Sequence, residues 1–143
     1  MTYDGNGVSE RAKFAPHRRK MLHYHGDEVR VIFIVSAIVL IVAQSTGAQL
    51  WVSTFGAVLS AIILVIAAGI TNPDQAWINW FNAFLAIMGI LIFGTSAVEH
   101  YRAGMSLFEP SFTYTEALAL LSLFALYFTT RTIRGLSQRP NLT

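Results

Sequence analysis

Long uncharged apolar stretches alternate with short polar ones along this chain. Arg30 is followed by 43 uncharged residues, Val31 to Pro73, before Asp74 appears. A second uncharged run covers Gln75 to Val98, and a third covers Ala117 to Thr130. A helix needs roughly 20 apolar residues to cross the hydrocarbon of a bilayer, so runs of this length predict membrane spans. The first run is too long for one helix and requires a break. Gln44-Ser45-Thr46-Gly47-Ala48-Gln49 supplies it, with Gly47 suited to a helix C-terminal cap.

Four helices follow. The first is expected over residues 28–46 with Asp27 as N-cap, and the second over 50–70. In the stretch T-N-P-D-Q, Asn72 can N-cap, Pro73 takes the first helical position and Gln75 reaches back. The third helix is therefore expected over 73–102, stopping before Gly104. Thr113 and Glu116 have the spacing of a capping box ahead of an apolar run, which opens a fourth helix over 114–134 with Gly135 as its stop. The fold class expected is an all-α integral membrane protein, an antiparallel four-transmembrane-helix bundle with short connections. Residues 1–27 form a polar, basic juxtamembrane arm, 28–134 the transmembrane domain and 135–143 a short C-terminal tail. With a long polar stretch ahead of it, the first span reads as an uncleaved insertion signal.

Composition agrees. Hydrophobic residues make up 54% of the chain and charged ones 13%, about half the share usual in soluble domains. There is no cysteine, which excludes disulfides, thiolate metal sites and thiol redox relays. Four spans put both termini and the connection between helices two and three on one side. That side carries Arg11, Lys13, Arg18, Arg19, Lys20, Arg30, Arg131, Arg134 and Arg139, whereas the other carries only Arg102. The positive-inside rule then places both termini in the cytoplasm and the chain in the cell (inner or plasma) membrane. Trp77, Trp80 and Tyr24 fall at the cytoplasmic interface, and Trp51, Tyr101 and Tyr114 at the opposite one.

Candidate chemistry begins with HYHGDEVR, His23 to Arg30. His17, His23, His25 and Asp27 contain donor atoms for a metal, but their spacing fits no strong ligand pattern, and no metal is expected. The stretch reads instead as a basic segment against anionic lipid, with Arg18, Arg19, Lys20 and Arg30 in headgroup contact. Arg30 is expected to reach back to the headgroups from the first turn of helix one.

Two further groups stand out. Glu99, His100, Arg102 and Glu116 fall at the ends of helices three and four on the non-cytoplasmic side. Together with Asn79 and Asn82 on helix three they form a candidate polar vestibule, able to relay protons or receive a cation. Read singly, Glu116 completes the capping box, Glu99 pairs with Arg102, and His100 favours a helix C-terminus. On helix two, Ser53, Gly56, Ala57, Ser60 and Ala61 form a small-residue stripe that predicts close helix packing, within the chain or between copies.

What is missing narrows the function. All four histidines lie outside the spans, which removes the axial ligand a haem-carrying subunit needs. Val31 to Gln44 of helix one is wholly uncharged, without the membrane-embedded carboxylate a proton-coupled exporter uses, and no phosphate-binding or nucleophile motif appears. No catalytic residue, cofactor or nucleic-acid partner is expected. The leading expectation is a non-enzymatic accessory or scaffold protein that packs against a membrane partner or against itself. The alternative is a small oligomeric channel or transporter using helix three and the Glu99, His100 and Glu116 group.

Overall fold

The computed structural model describes residues 25–72 and 74–138. Of these, 81% are helical, and there is no strand among them. Four helices are found among the described residues: α1, Gly26–Ser45; α2, Thr54–Ile70; α3, Ala76–Arg102, containing a π-helical turn at Ile90–Gly94; and α4, Pro110–Ser137. Two of them, α3 and α4, are long and apolar enough to cross a membrane.

The C-terminal stops fall where glycine dictates. Gly47 follows α1 at φ 73°, and Gly104 follows α3 at φ 71°. In each case a pair of backbone bonds closes the helix end. Ala48 N donates to Ala43 O at 3.0 Å and Gly47 N to Gln44 O at 3.2 Å, and Met105 N donates to His100 O at 3.2 Å and Gly104 N to Tyr101 O at 3.1 Å. These bonds satisfy carbonyls the helix itself leaves open, in a conformation that disfavours a Cβ.

The starts differ from expectation. Asp27 lies inside the first turn of α1, with His25 at the cap position and Gly26 already helical. α2 begins at Thr54, because the Ser53 hydroxyl accepts from Gly56 N at 3.2 Å and fixes the cap there. α3 begins at Ala76. Asn72 Oδ1 accepts from Asp74 N at 3.2 Å, which holds a turn and leaves Gln75 as the cap residue. The capping box at Thr113 does not form. Pro110 starts α4 from Glu109, and the Thr113 hydroxyl donates back to Leu107 O and Glu109 O, each at 3.1 Å. Proline fixes its own φ and needs no N–H partner at a helix start, so the earlier start prevails. α4 continues through Gly135 to Ser137.

Packing follows side-chain size. α1 and α4 lie together at the centre, α2 packs along α1, and α3 along α4. α2 and α3 approach each other over only a few residues, and the backbone of α3 from Ile90 onward does not come near α2. Ten of the seventeen buried apolar residues among those described are alanines, so helix axes come close through small side chains. Ala57 and Ala61 of α2 meet Ala37 and Leu40 of α1 in one core layer. Ala67, Ala68, Ala86 and Ala125 join Val29 and Phe33 in the other. Many large apolar residues are nevertheless on the outside. Ile38, Phe55, Ile66, Phe84, Leu91 and Phe124 are each more than half exposed.

Candidate functional site

Polar side chains that the sequence places on one helix separate into two ends in the fold. Glu99, Arg102 and Glu116 are exposed and His100 is half-buried. No hydrogen bond or ion pair joins these four among the described residues. The described residues also contain no group of three His, Asp or Glu side chains placed to hold a metal ion.

Asn79 and Asn82 are at the other end of α3, 2% and 1% exposed. They belong to a junction where the ends of all four helices meet. Asn82 Nδ2 donates to the Thr71 hydroxyl at 3.0 Å, and that hydroxyl donates to Ala67 O at 2.7 Å. The bond ties α3 to the last turn of α2. Arg30 of α1 donates from its guanidinium to the Thr71 carbonyl, and its Nη1 lies 3.7 Å from Asp27 Oδ1. A cation at this carbonyl complements the negative end of α2. Thr71, itself fully buried, therefore receives α1 through its backbone and α3 through its side chain.

The fourth helix joins through His25 and Thr132. His25 N donates to Thr132 Oγ1 at 3.3 Å, while the Thr132 hydroxyl donates to Phe128 O at 3.0 Å. The His25 ring packs against Phe128, centroids 5.6 Å apart, and its Nδ1 lies 3.3 Å from Glu28 Oε1. Arg30 Nε, Asn79 Nδ2, Asn82 Oδ1 and His25 Nε2 are buried without a hydrogen-bond partner among the described residues. The junction is tightly closed and only partly satisfied.

Arg18, Arg19 and Lys20, expected at lipid headgroups, lie outside the described residues, as do His17 and His23. Arg30 has a partner within the protein. In the small-residue stripe, Ala57 and Ala61 are buried against α1, so this part is consumed within the chain. Gly56 and Ser53 serve the start of α2: a Cβ on Gly56 would lie 2.7 Å from Val52 Cγ1 and 3.3 Å from Ser53 Oγ.

Ser60 faces a different feature, a cavity of about 110 Å³ between the four helices. Its walls are mainly apolar, from Phe33 and Leu40 of α1, Leu64 of α2, Leu85 and Ile92 of α3, and Leu118 of α4. Ser36 and Ser122 also face it, and both hydroxyls donate to carbonyls one turn back on their own helices, each at 2.8 Å. Beside it α3 and α4 are in close contact, since a Cβ on Gly89 would come within 2.3 Å of Ser122 Oγ.

Thr71 and Thr132 were not legible as site residues, and His25, weighed as a metal donor, gave no sign of its contact with Thr132. Thr71 looks like an ordinary connection residue, and its role appears only when Arg30 and Asn82 arrive from 41 positions before and 11 after. The cavity had one faint signal, a lone serine in the middle of each of three apolar segments. Comparison with known protein families, with curated proteins and with solved structures finds no match for this chain.

Proposed function

We propose that the chain is a four-span protein of the cell membrane, with both termini cytoplasmic, that serves as a non-catalytic accessory or scaffold protein for a membrane partner or for itself. One observation carries the membrane reading: large aliphatic and aromatic residues are exposed along all four helices, around a core in which ten of the seventeen described buried apolar residues are alanines. In water such a surface would far exceed the few hundred Å² of contiguous apolar patch that soluble monomers tolerate. In lipid it is the expected arrangement, since helices there associate through small residues and close packing. α1, with 20 residues, and α2, with 17, also fall within the roughly 17–25 that span the hydrocarbon.

The accessory role is supported by how the polar groups are used. Arg30, Asn82, Thr71 and Thr132 bind helix ends to one another, which makes a stiff object with an apolar outer face. The channel or transporter alternative asks Asn79 and Asn82 to share a path with Glu99. Seventeen residues of helix separate Asn82 from Glu99, roughly 25 Å along the axis, and the space between holds an apolar cavity.

Native mass spectrometry of the chain extracted gently from its own membrane tests the proposal. A defined complex with a larger membrane protein, or a stable homo-oligomer without ion flux in liposomes, is the expected result. A monomer, or an oligomer whose flux is abolished by Glu99→Gln, would overturn the accessory reading.

A further inference from the structure

We infer that the cleft between α2 and α3 holds one acyl chain of a phospholipid from the leaflet at the Arg102 end, an inference that rests on the four-span reading above. The two helices are joined by the short turn around Asn72 to Gln75 and tied there by the Asn82–Thr71 bond. Away from that turn they diverge, for α2 follows α1 and α3 follows α4. The cleft is therefore a V. Its apex is sealed by the Arg30, Thr71 and Asn82 junction, and its mouth faces the opposite membrane surface.

The cavity of about 110 Å³ lies inside this V. Phe33 and Leu118 line its floor, and Ile63 and Met88, 36% and 39% exposed, stand at its lips. An apolar space of this size left empty forfeits van der Waals contact on every wall. A helix about 10 Å across does not fit, whereas a flexible hydrocarbon chain does. The polar apex closes one end, so the chain enters from the mouth.

Depth and charge agree with that route. Ile92 on the cavity wall and Arg102 are ten residues apart, roughly 15 Å along α3. Half of a hydrocarbon core about 30 Å thick is the same length and the phosphate sits roughly 5 Å beyond it, so a lipid with its phosphate at the level of Arg102 passes Ile92 with the last part of its chain. Arg102 is exposed, has no carboxylate within ion-pair distance among the described residues, and is the only Lys or Arg between Arg30 and Arg131. It is the charge complement for a phosphate at that surface.

The test uses the full-length chain in nanodiscs of palmitoyl-oleoyl phosphatidylglycerol, released into mild detergent for native mass spectrometry. The wild type should retain one phospholipid under activation that strips the others. Ser60→Phe, which fills the cleft, should lower that occupancy about tenfold, a loss of roughly 1.4 kcal/mol of binding. Arg102→Gln should lower it only about two- to fivefold, as fits an exposed ion pair. Ile62→Phe, on the outer face of the same helix, should leave it unchanged. A phospholipid carrying a diazirine near the end of its chain provides a readout on the wild type alone. Its crosslinks should concentrate on Ser60 to Leu64 and Leu85 to Ile92. Equal retention by wild type and Ser60→Phe, crosslinks spread evenly over outer faces, or a lipid-free dimer with the cleft protected would each overturn the inference. Recovery of the chain in the soluble fraction would instead overturn the four-span reading beneath it.

Discussion

Removing the Thr71 hydroxyl should cost more stability than removing the Asn82 side chain that binds it. Thr71→Val keeps the shape and the backbone carbonyl that receives Arg30, but takes away the acceptor for Asn82 Nδ2. Asn82 is 1% exposed and its Oδ1 already lacks a partner, so both polar atoms of the amide would then be buried unsatisfied. A buried donor stranded in this way costs about 1–3 kcal/mol. Asn82→Leu loses the same hydrogen bond, about 0.6 kcal/mol between helices in a bilayer, but removes the stranded Oδ1 as well. Its Thr71 hydroxyl still donates to Ala67 O, so the net loss should stay below about 1 kcal/mol. The double variant should behave like Asn82→Leu and be more stable than Thr71→Val alone. The assay is reversible unfolding in mixed micelles with rising SDS fraction, followed by helical circular dichroism for all four proteins. Strict additivity, or Asn82→Leu as the costlier single change, would refute the assignment of this bond.

Other consequences are as direct. Ala57→Leu overpacks the α1–α2 contact and should destabilise by about 1–3 kcal/mol, whereas Val58→Leu on the exposed side should change little in the same assay. Arg30→Met removes the cation from the end of α2 and should cost about 1 kcal/mol, less than a fully buried charged bond because the side chain is 41% exposed; no change in the unfolding midpoint would show that the contact is idle. The chain has no cysteine, so single cysteines report topology cleanly. An impermeant maleimide outside intact cells should label Gln49→Cys and Ser106→Cys but spare Asp74→Cys and Ser137→Cys, and any other pattern would contradict both termini being cytoplasmic.

The linear order of residues determined much of the local framework. Runs of apolar residues placed four helices within a few positions, because helix formation and burial of backbone polar groups depend on nearby residues. Gly47 and Gly104 marked two helix ends, since a left-handed backbone strongly favours glycine. The repeat of Ala57 and Ala61 announced a close helix contact. Helix starts were less legible because several local signals competed: Pro110 against the Thr113 box, and Ser53 against residue 50.

The tertiary structure alone decided which helices are partners and where the polar groups go. A short connection suggests neighbours, yet the shortest one joins α2 and α3, the sequence-adjacent pair that packs least. On the membrane reading proposed above, the physical reason is that apolar surface does not choose its neighbour: lipid tails are as apolar as Leu or Ile, and small side chains decide where backbones close in. The alanines of α2 meet α1, while Ile63 and Met88 line the cavity where α2 and α3 stand apart. Arg30 and Asn82 likewise carry no local mark of a shared partner. They meet at Thr71 only because the turn after α2 and the first turn of α1 end at the same level of the fold.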